Sequence, residues 1–290
     1  MVKSIHEWQS QGGNYFTFKH HRIFYKTAGE GTPLLLIHGF PTACWDWCKI
    51  WDELASHYRL ITFDLIGFGL SDKPKQNQYS IFQQADIAEA LLSHLNLKEC
   101  HILAHDYGDT VAQELLARHN ENKLAIDLQS IAYLNGGLFH GVHKPLLIQK
   151  LLMTPIGRFL GKLINKDRFT QSMRTICGKN SQPSEQELDI LWQLITHKNG
   201  NAVIHKVIRY MHERKKHAKR WIGALQQTKL PMRLIDGTVD PISGQHLIDH
   251  YQEHIPNADT IELDGIGHYP QLEAPEKVLE YYLEFRQQNM

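Results

Sequence analysis

Asp106 stands where a nucleophile would stand. It is the centre of Ala104-His105-Asp106-Tyr107-Gly108, with an apolar run before it (Cys100 to Ala104) and a helical pattern after it (Asp109 to His119). A small residue two positions before a polar one and a glycine two positions after is the spacing of the nucleophile elbow, a strand-to-helix turn that bulkier flanks would block. Such a turn lifts the central side chain out of the sheet and onto the N-terminus of the next helix. Serine is the usual occupant, and aspartate changes the chemistry. A carboxylate attacking an ester carbonyl gives a reactive anhydride, whereas attack on an electrophilic sp3 carbon gives an alkyl ester. Opening an epoxide or displacing a halide is the chemistry this residue favours. No Gly-x-Ser-x-Gly occurs in the chain, so no serine competes for the position.

Three further segments fit the elbow. His38-Gly39-Phe40-Pro41 follows the apolar run Pro33 to Ile37. A loop there aims the Phe40 N–H at the elbow and, with the Tyr107 N–H, makes an oxyanion hole; a plain Gly-Pro turn is the simpler reading. Gly237-Thr238-Val239-Asp240-Pro241 follows Met232 to Ile235. A carboxylate beyond the C-terminal end of a parallel strand lies on the ligand-binding edge of the sheet, where Asp240 would orient an imidazole and stabilise its cation. A turn or N-cap aspartate before proline is the alternative. Asp236, nearer the buried strand, is a rival, and Asn135 cannot supply a charge. Gly265-Ile266-Gly267-His268-Tyr269-Pro270 follows the last strand, and its glycines let His268 return over the elbow. The chain order Asp106, Asp240, His268 is the order nucleophile, acid, histidine expected on such a sheet, and it singles out one histidine of 19.

The elements that must position these residues are legible as alternating strands and helices. Tyr15 to Lys19 and Arg22 to Lys26 read as a hairpin. Further strands are expected at Pro33 to Ile37, Arg59 to Asp64, Cys100 to Ala104, Ile126 to Leu134, Met232 to Ile235 and Thr260 to Leu263. Helices are expected at Cys44 to His57, at Phe82 to Leu95 with Ile87, Ala90, Leu91 and Leu95 on one face, at Leu247 to Ile255 and at Pro275 to Arg286. The fold class is α/β: a mostly parallel eight-stranded sheet with helices on both faces. From Asn135-Gly136-Gly137 to about Arg220 the patterns are helical only, clearest at Leu146 to Met153, Glu185 to Thr196 and Val203 to His217. This implies a core formed by 1–135 and 221–290, carrying an inserted helical cap or lid at 136–220.

Composition narrows the class. The 290 residues are 42% hydrophobic and 21% charged, which fits a globular chain. Lys+Arg and Asp+Glu both number 31, so no global field points to nucleic acid. Met1 to Thr32 has no signal-peptide apolar segment and no run reaches transmembrane length, so a cytoplasmic protein is expected. Cysteines 44, 48, 100 and 177 are scattered, as reduced thiols are. Cys44 and Cys48 lie one helical turn apart, and His246, His250 and His254 share a helical face. Neither set has the rest of a ligand sphere, so no metal is expected. Arg209 to Arg220 carries six Lys/Arg against Glu213. That reads as a solvated helix, or else as contact with an anionic membrane surface. Leu146, Leu147, Ile148, Leu151 and Leu152 pack the lid onto the core and would make the substrate site apolar.

With these residues in view the chain resembles the α/β-hydrolase superfamily over nearly its full length. It is similar in particular to the epoxide hydrolase and haloalkane dehalogenase branch with an Asp nucleophile, and most of all to the mesoderm-specific transcript family. The segments that carry this are His38-Gly39-Phe40-Pro41-Thr42, Asp64-Leu65-Ile66-Gly67-Phe68-Gly69 through Ser71-Asp72-Lys73-Pro74, Tyr79-Ser80-Ile81-Phe82, His105-Asp106-Tyr107-Gly108-Asp109 with Val111 to Leu116, and His268-Tyr269-Pro270-Gln271-Leu272-Glu273. The resemblance implies a cofactor-free hydrolase with an Asp-His-Asp triad of Asp106, His268 and Asp240, acting on a small apolar substrate, as a monomer or homodimer. Substrate contacts are expected from His38, Phe40, Tyr107, Trp192, Tyr210 and Tyr269. Dehalogenases of the branch place Trp just after the nucleophile and often Asn or a second Trp as the other halide donor; here Tyr107 and Phe40 stand there. Donors would have to come from Trp192 or Trp221, which weakens that reading. Epoxide hydrolases use two lid tyrosines on the epoxide oxygen. Tyr210 is the one candidate between Leu134 and Arg214, as a proton donor or as a packed aromatic. Epoxide hydrolysis leads, with dehalogenation or a lipid ester hydrolase or acyltransferase of the mesoderm-specific transcript type as alternatives. A binding protein with a dead site fits less well, because all three triad residues are present.

Overall fold

The apolar run Pro33–Ile37 becomes a strand buried along its whole length in the middle of a sheet. The computed structural model describes residues 4–289. Its strands are β1 (Gly13–Phe18), β2 (His21–Ala28), β3 (Pro33–Ile37), β4 (Arg59–Phe63), β5 (Glu99–His105), β6 (Asp127–Leu134), β7 (Met232–Gly237) and β8 (Thr260–Leu263). They form one eight-stranded sheet in the order β1-β2-β4-β3-β5-β6-β7-β8. The pairs β1/β2 and β2/β4 are antiparallel and all others parallel.

Successive side chains of a strand point to opposite faces, and the core divides accordingly. Leu34 and Leu36 of β3 join Leu103 and Leu134 in one buried cluster. Leu35 and Ile37 join Ile102 and Ala104 in the other. Both faces are apolar, so helices cover both: α1 (Ile5–Ser10), α2 (Trp51–His57), α3 (Ile81–His94) and α4 (Tyr107–Asn120) come from the first half of the chain. Ser80 caps α3 by accepting the Gln83 N–H at 3.1 Å.

One helix of the first half departs from expectation. The segment Cys44 to His57 is not one helix but a 3₁₀ turn at Cys44–Trp47 followed by α2. All four residues of the turn are buried, which the one-sided burial of a surface helix does not allow. On α3 the expected Ile87, Ala90, Leu91 and Leu95 all pack on the core, Ala90 and Leu95 half-buried, and Ala85, Ala88 and Leu92 widen the buried face. It widens as far as Gln84, which is drawn inward by hydrogen bonds exchanged between its amide and the Ile66 backbone.

After β6 the chain runs through α5 (Leu147–Leu152), α6 (Gly157–Leu163), α7 (Lys166–Ile176), α8 (Glu185–Thr196), α9 (Ile204–Val207), α10 (Tyr210–Lys216) and α11 (Ala218–Gln227), with no strand among the described residues of this stretch. The expected helix Val203 to His217 is therefore two short ones. Ser184 and Glu187 close a capping box on α8. The expected divide at 220/221 falls inside α11, a helix that packs on α4. The chain then returns through β7, α12 (Gln245–His254), β8, α13 (Pro270–Glu273) and α14 (Pro275–Gln288). No helix of the described residues is long and apolar enough to cross a membrane.

Register places the site. Ile37 pairs with Ala104 and Phe63, His105 with Leu134, and Gly237 with Leu263. The parallel strands thus end along one edge. Just beyond those ends lie the loop of Phe40, then Asp64, Asp106, Asn135, Asp240 and His268.

Candidate active site

Asp106 occupies the turn between β5 and α4 with φ 47° and ψ −101°. A non-glycine residue at positive φ is strained, and such strain collects where side-chain placement matters. The turn closes because Gly108 has no side chain: a Cβ there would lie 2.2 Å from the Ile37 carbonyl oxygen. One carboxylate oxygen of Asp106, Oδ2, accepts the Phe40 N–H at 2.9 Å. The Tyr107 amide opens α4 and has no acceptor within the helix.

The Phe40 loop is held by the residues expected to touch substrate. His38 Nε2 accepts the Leu65 N–H at 3.1 Å, leaving its Nδ1–H to donate to the Gly39 carbonyl at 2.8 Å. Both nitrogens are spent on the loop, so His38 shapes it. The Tyr269 hydroxyl donates to the Phe40 carbonyl at 3.3 Å, and its ring lies against His105 and His268. Tyr107 is buried, its ring packed 5.3 Å from Phe68 and 4.5 Å from Tyr210. None of the three lines the apolar cavity beside His268.

On the other side of the site, His268 Nδ1–H donates to Asp240 Oδ2 at 2.7 Å. The His268 backbone is fixed at both ends: its N–H donates to Ile176 at 2.9 Å and its carbonyl accepts His105 Nε2–H at 2.7 Å. Burial alone would hold His268 neutral, but the carboxylates of Asp240 and Asp106 outweigh it and carry its pKa up to about 9. Burial works against the Asp240 charge too, yet His268 and the donors of Ile242 and Ser243 keep its pKa below the usual value. Those donors are the Ile242 N–H at 2.8 Å, the Ser243 N–H at 3.1 Å and the Ser243 hydroxyl at 2.8 Å. Asp236, the rival acid, faces elsewhere: its Oδ1 accepts the Asn135 N–H, and burial pushes its pKa well up. Asn135, which has no charge to give, supplies donors instead. Its Nδ2 reaches Asp240 Oδ2 at 3.1 Å and its Oδ1 accepts the Gly237 N–H at 2.7 Å.

Sequence reasoning missed Arg214. It belongs to the basic segment read as a solvated or membrane-facing helix, and Arg209, Lys215, Lys216 and Lys219 are indeed exposed or half-buried. Arg214 is instead buried. Its Nε donates to Thr110 Oγ1 at 2.7 Å, and its Nη2 donates to the Asp106 carbonyl at 3.0 Å and lies 3.8 Å from Asp106 Oδ1. Arg220 also turns inward, to Glu114 at 2.8 Å. Tyr210 is buried next to Arg214, whose guanidinium lies 4.5 Å over its ring. Burial and the Asp106 charge both push the Tyr210 phenol up, so it stays protonated. His143 is a second residue that no motif marked: its Nε2 is buried without a partner, and burial, then Arg214 and His268, bring its pKa down to about 3.

Beside His268 lies a cavity of about 240 Å³. Phe40, Pro41 and His268 form part of its wall, and Leu152, Leu160, Met173 and Trp192 add apolar surface. Trp192 is thus available to a ligand. Trp221 is not, because its Nε1–H donates to Glu114 Oε2 at 2.9 Å.

Comparison with known proteins agrees with this architecture. The α/β hydrolase fold family matches residues 32–151. The mesoderm-specific transcript homolog protein of Bos taurus is 42% identical over 97% of this chain and 88% of its own length. The cis-3-alkyl-4-alkyloxetan-2-one decarboxylase of Shewanella oneidensis is 25% identical over 91% of this chain and 85% of its own. Among solved structures, that of the epoxide hydrolase CorEH superposes with a TM-score of 0.76 at 20% identity, covering 94% of this chain and 97% of that one, a likeness of fold. The chain belongs to the α/β-hydrolase superfamily, in the family of the mesoderm-specific transcript proteins.

Proposed function

We propose that this α/β hydrolase uses Asp106 as a nucleophile on an apolar, strained cyclic ether, with an epoxide as the leading substrate class. The reading rests on one observation above the rest: Oδ2 of Asp106 is occupied by the Phe40 N–H, which leaves Oδ1 to attack. Oδ1 bonds to an epoxide carbon, the C–O bond breaks, and the Tyr210 phenol gives its proton to the alkoxide. In the second half His268 takes a proton from water, and that water attacks the carboxyl carbon of Asp106. The charge on Oδ2 then falls to the Phe40 and Tyr107 amides. The ester breaks, the departing alkoxide takes the second proton of that water, and Asp106 is restored. Esterification removes one of the carboxylates that raise the His268 pKa, so His268 can return a proton to the Tyr210 oxygen and stand neutral as the base before it takes the one from water. The helical segment 136–220 acts as the lid that supplies Tyr210 and the apolar cavity wall, over a core of 1–135 and 221–290.

A second reading is favoured by Arg214. An oxetan-2-one, the ring named in the Shewanella relative, opened by Asp106 at its sp3 ring carbon would release a carboxylate. That leaving group needs no proton, and a buried guanidinium 3.8 Å from the attacking oxygen suits it better than a second tyrosine would. Halide displacement is less well served, because Trp221 is committed to Glu114.

His268→Gln, exposed in turn to epoxides, β-lactones, haloalkanes and esters, tests the assignment by intact-protein mass spectrometry. Removing the base is expected to trap an ester on Asp106, with hydrolysis slowed about 10²- to 10⁴-fold. An epoxide adduct mapped to Asp106 supports the leading reading and a β-lactone adduct the second. A folded protein with no adduct at Asp106 from any of them overturns both.

A further inference from the structure

Helices α5 and α6 carry residues in three directions. Leu152, Leu160 and Ile164 line the apolar cavity beside His268. Arg158 and Lys162, one turn apart on α6, border a second, open cavity of about 670 Å³ that Lys75 and Lys206 also line and to which no carboxylate contributes. The remaining direction is outward. Ile156, Phe159 and Leu163 are 54%, 67% and 65% exposed, and Leu147 on α5 is 72% exposed. Scattered exposed leucines call for no explanation. Here, however, the only large hydrophobic residues exposed among the described residues outside 147–163 are Tyr15 and Val239. An apolar patch of this kind marks a surface that something covers.

Charge and continuity identify what covers it. An apolar face flanked by lysine and arginine, on short helices that do not cross a bilayer, has the composition of an element lying in a lipid interface. A second copy of the chain is a poorer partner. A two-fold interface brings the same patch onto itself, so the cations beside one face would meet the cations beside the other. Ile148 is both part of the apolar cavity's wall and 37% exposed, so the cavity reaches the surface within this face. We infer that the α5–α6 face docks on an anionic lipid bilayer. Ile156, Phe159, Leu163 and Leu147 enter the boundary between headgroups and acyl chains, Arg158, Lys162, Lys75 and Lys206 meet lipid phosphates, and the cavity draws apolar substrate from the membrane rather than from water.

The full chain is to be sedimented with vesicles of phosphatidylcholine alone and of phosphatidylcholine mixed with phosphatidylserine, at low and high salt. The unsubstituted protein is expected to bind the mixed vesicles and to release as salt rises. Phe159→Ser with Leu163→Ser should abolish binding to both vesicle types. Arg158→Glu with Lys162→Glu should weaken binding to the anionic vesicles by about tenfold or more and remove the salt dependence. All four positions are at the surface of α6, and an unchanged thermal midpoint establishes that each variant is folded. Absence of binding by the unsubstituted chain, equal binding by the variants, or binding indifferent to lipid charge overturns the proposal. So does a solution dimer that Phe159→Ser with Leu163→Ser dissociates, since the cover would then be a second copy. The readout needs no turnover and is independent of the role given to Asp106.

Discussion

The sheet edge and the helical insertion build their halves of the site differently. At the edge Asp240 and His268 are each held several times over. Asp240 receives hydrogen bonds from Ile242, Ser243, Asn135 and His268, and His268 is anchored through both its backbone groups. Strand register fixes where these residues start, so their geometry is set by the core. The insertion brings Tyr210 and Arg214 on α10, a helix of seven residues with no side-chain N-cap. Arg214 grips the elbow through a carbonyl, a hydroxyl and one ion pair at 3.8 Å. On the proposed route the core would set which bond is made and hydrolysed, and the insertion would adjust charge and choose the substrate. Substitutions in the two halves should therefore differ in kind.

The largest effect is expected at the edge. Asp106→Asn keeps an acceptor for the Phe40 N–H and tolerates the positive φ, yet removes the nucleophile. Turnover and the trapped ester should both vanish, while circular dichroism stays unchanged. Residual turnover at the wild-type rate would end the covalent reading. A smaller, step-specific effect is expected from the insertion. Arg214→Gln removes a charge-assisted contact worth about 1.5–3 kcal/mol, so ester formation in single-turnover measurements should slow about tenfold to a hundredfold. Hydrolysis of the ester should change much less, and Arg214→Lys should recover part of the loss. Equal slowing of both steps would make Arg214 a purely structural clamp and erase the contrast between the halves.

The smallest effect is a stability slope that belongs to the edge alone. His268 titrates at about 9 in the folded chain and near 6.5 unfolded. Its raised value stabilises the fold fully below about pH 6.5 and is lost as pH rises through about 9. The thermal midpoint should fall across that window, and less so in His268→Gln. Equal slopes in the two proteins would place the titrating group elsewhere.

How far the sequence can be read obeys the same division. The elbow, the Phe40 loop and the His268 loop are each set by small residues a few positions away, so local spacing marks them. Asp240 ranks above Asp236 because it lies past the strand end. Arg214 cannot be found this way. Its partners Thr110 and Asp106 lie more than a hundred positions upstream, and five other cations in its segment disguise it. The available signal is its face: Tyr210, Met211 and Arg214 are the buried residues of α10, and an arginine sharing a face with tyrosine and methionine points inward. His38, Tyr107 and Tyr269 read as substrate contacts because they neighbour the Phe40 loop, Asp106 and His268 in the chain. Adjacency in the chain does not reveal that their polar atoms or rings are consumed in holding the loop and the elbow. Asn135, read only as a missing acid, hides what an amide can donate.

Three buried carboxyls around the site, Asp46, Asp109 and Asp236, are driven toward the neutral acid by burial. At the elbow Asp106 and Asp240 then face the cations of His268 and Arg214. On the proposed route alkylation of Asp106 adds no net charge there, because the charge that Asp106 loses appears on the Tyr210 oxygen as its phenol gives up the proton. The covalent intermediate is then no better a site for small anions than the resting enzyme, so acetate or halide in an assay buffer should slow neither half of the cycle.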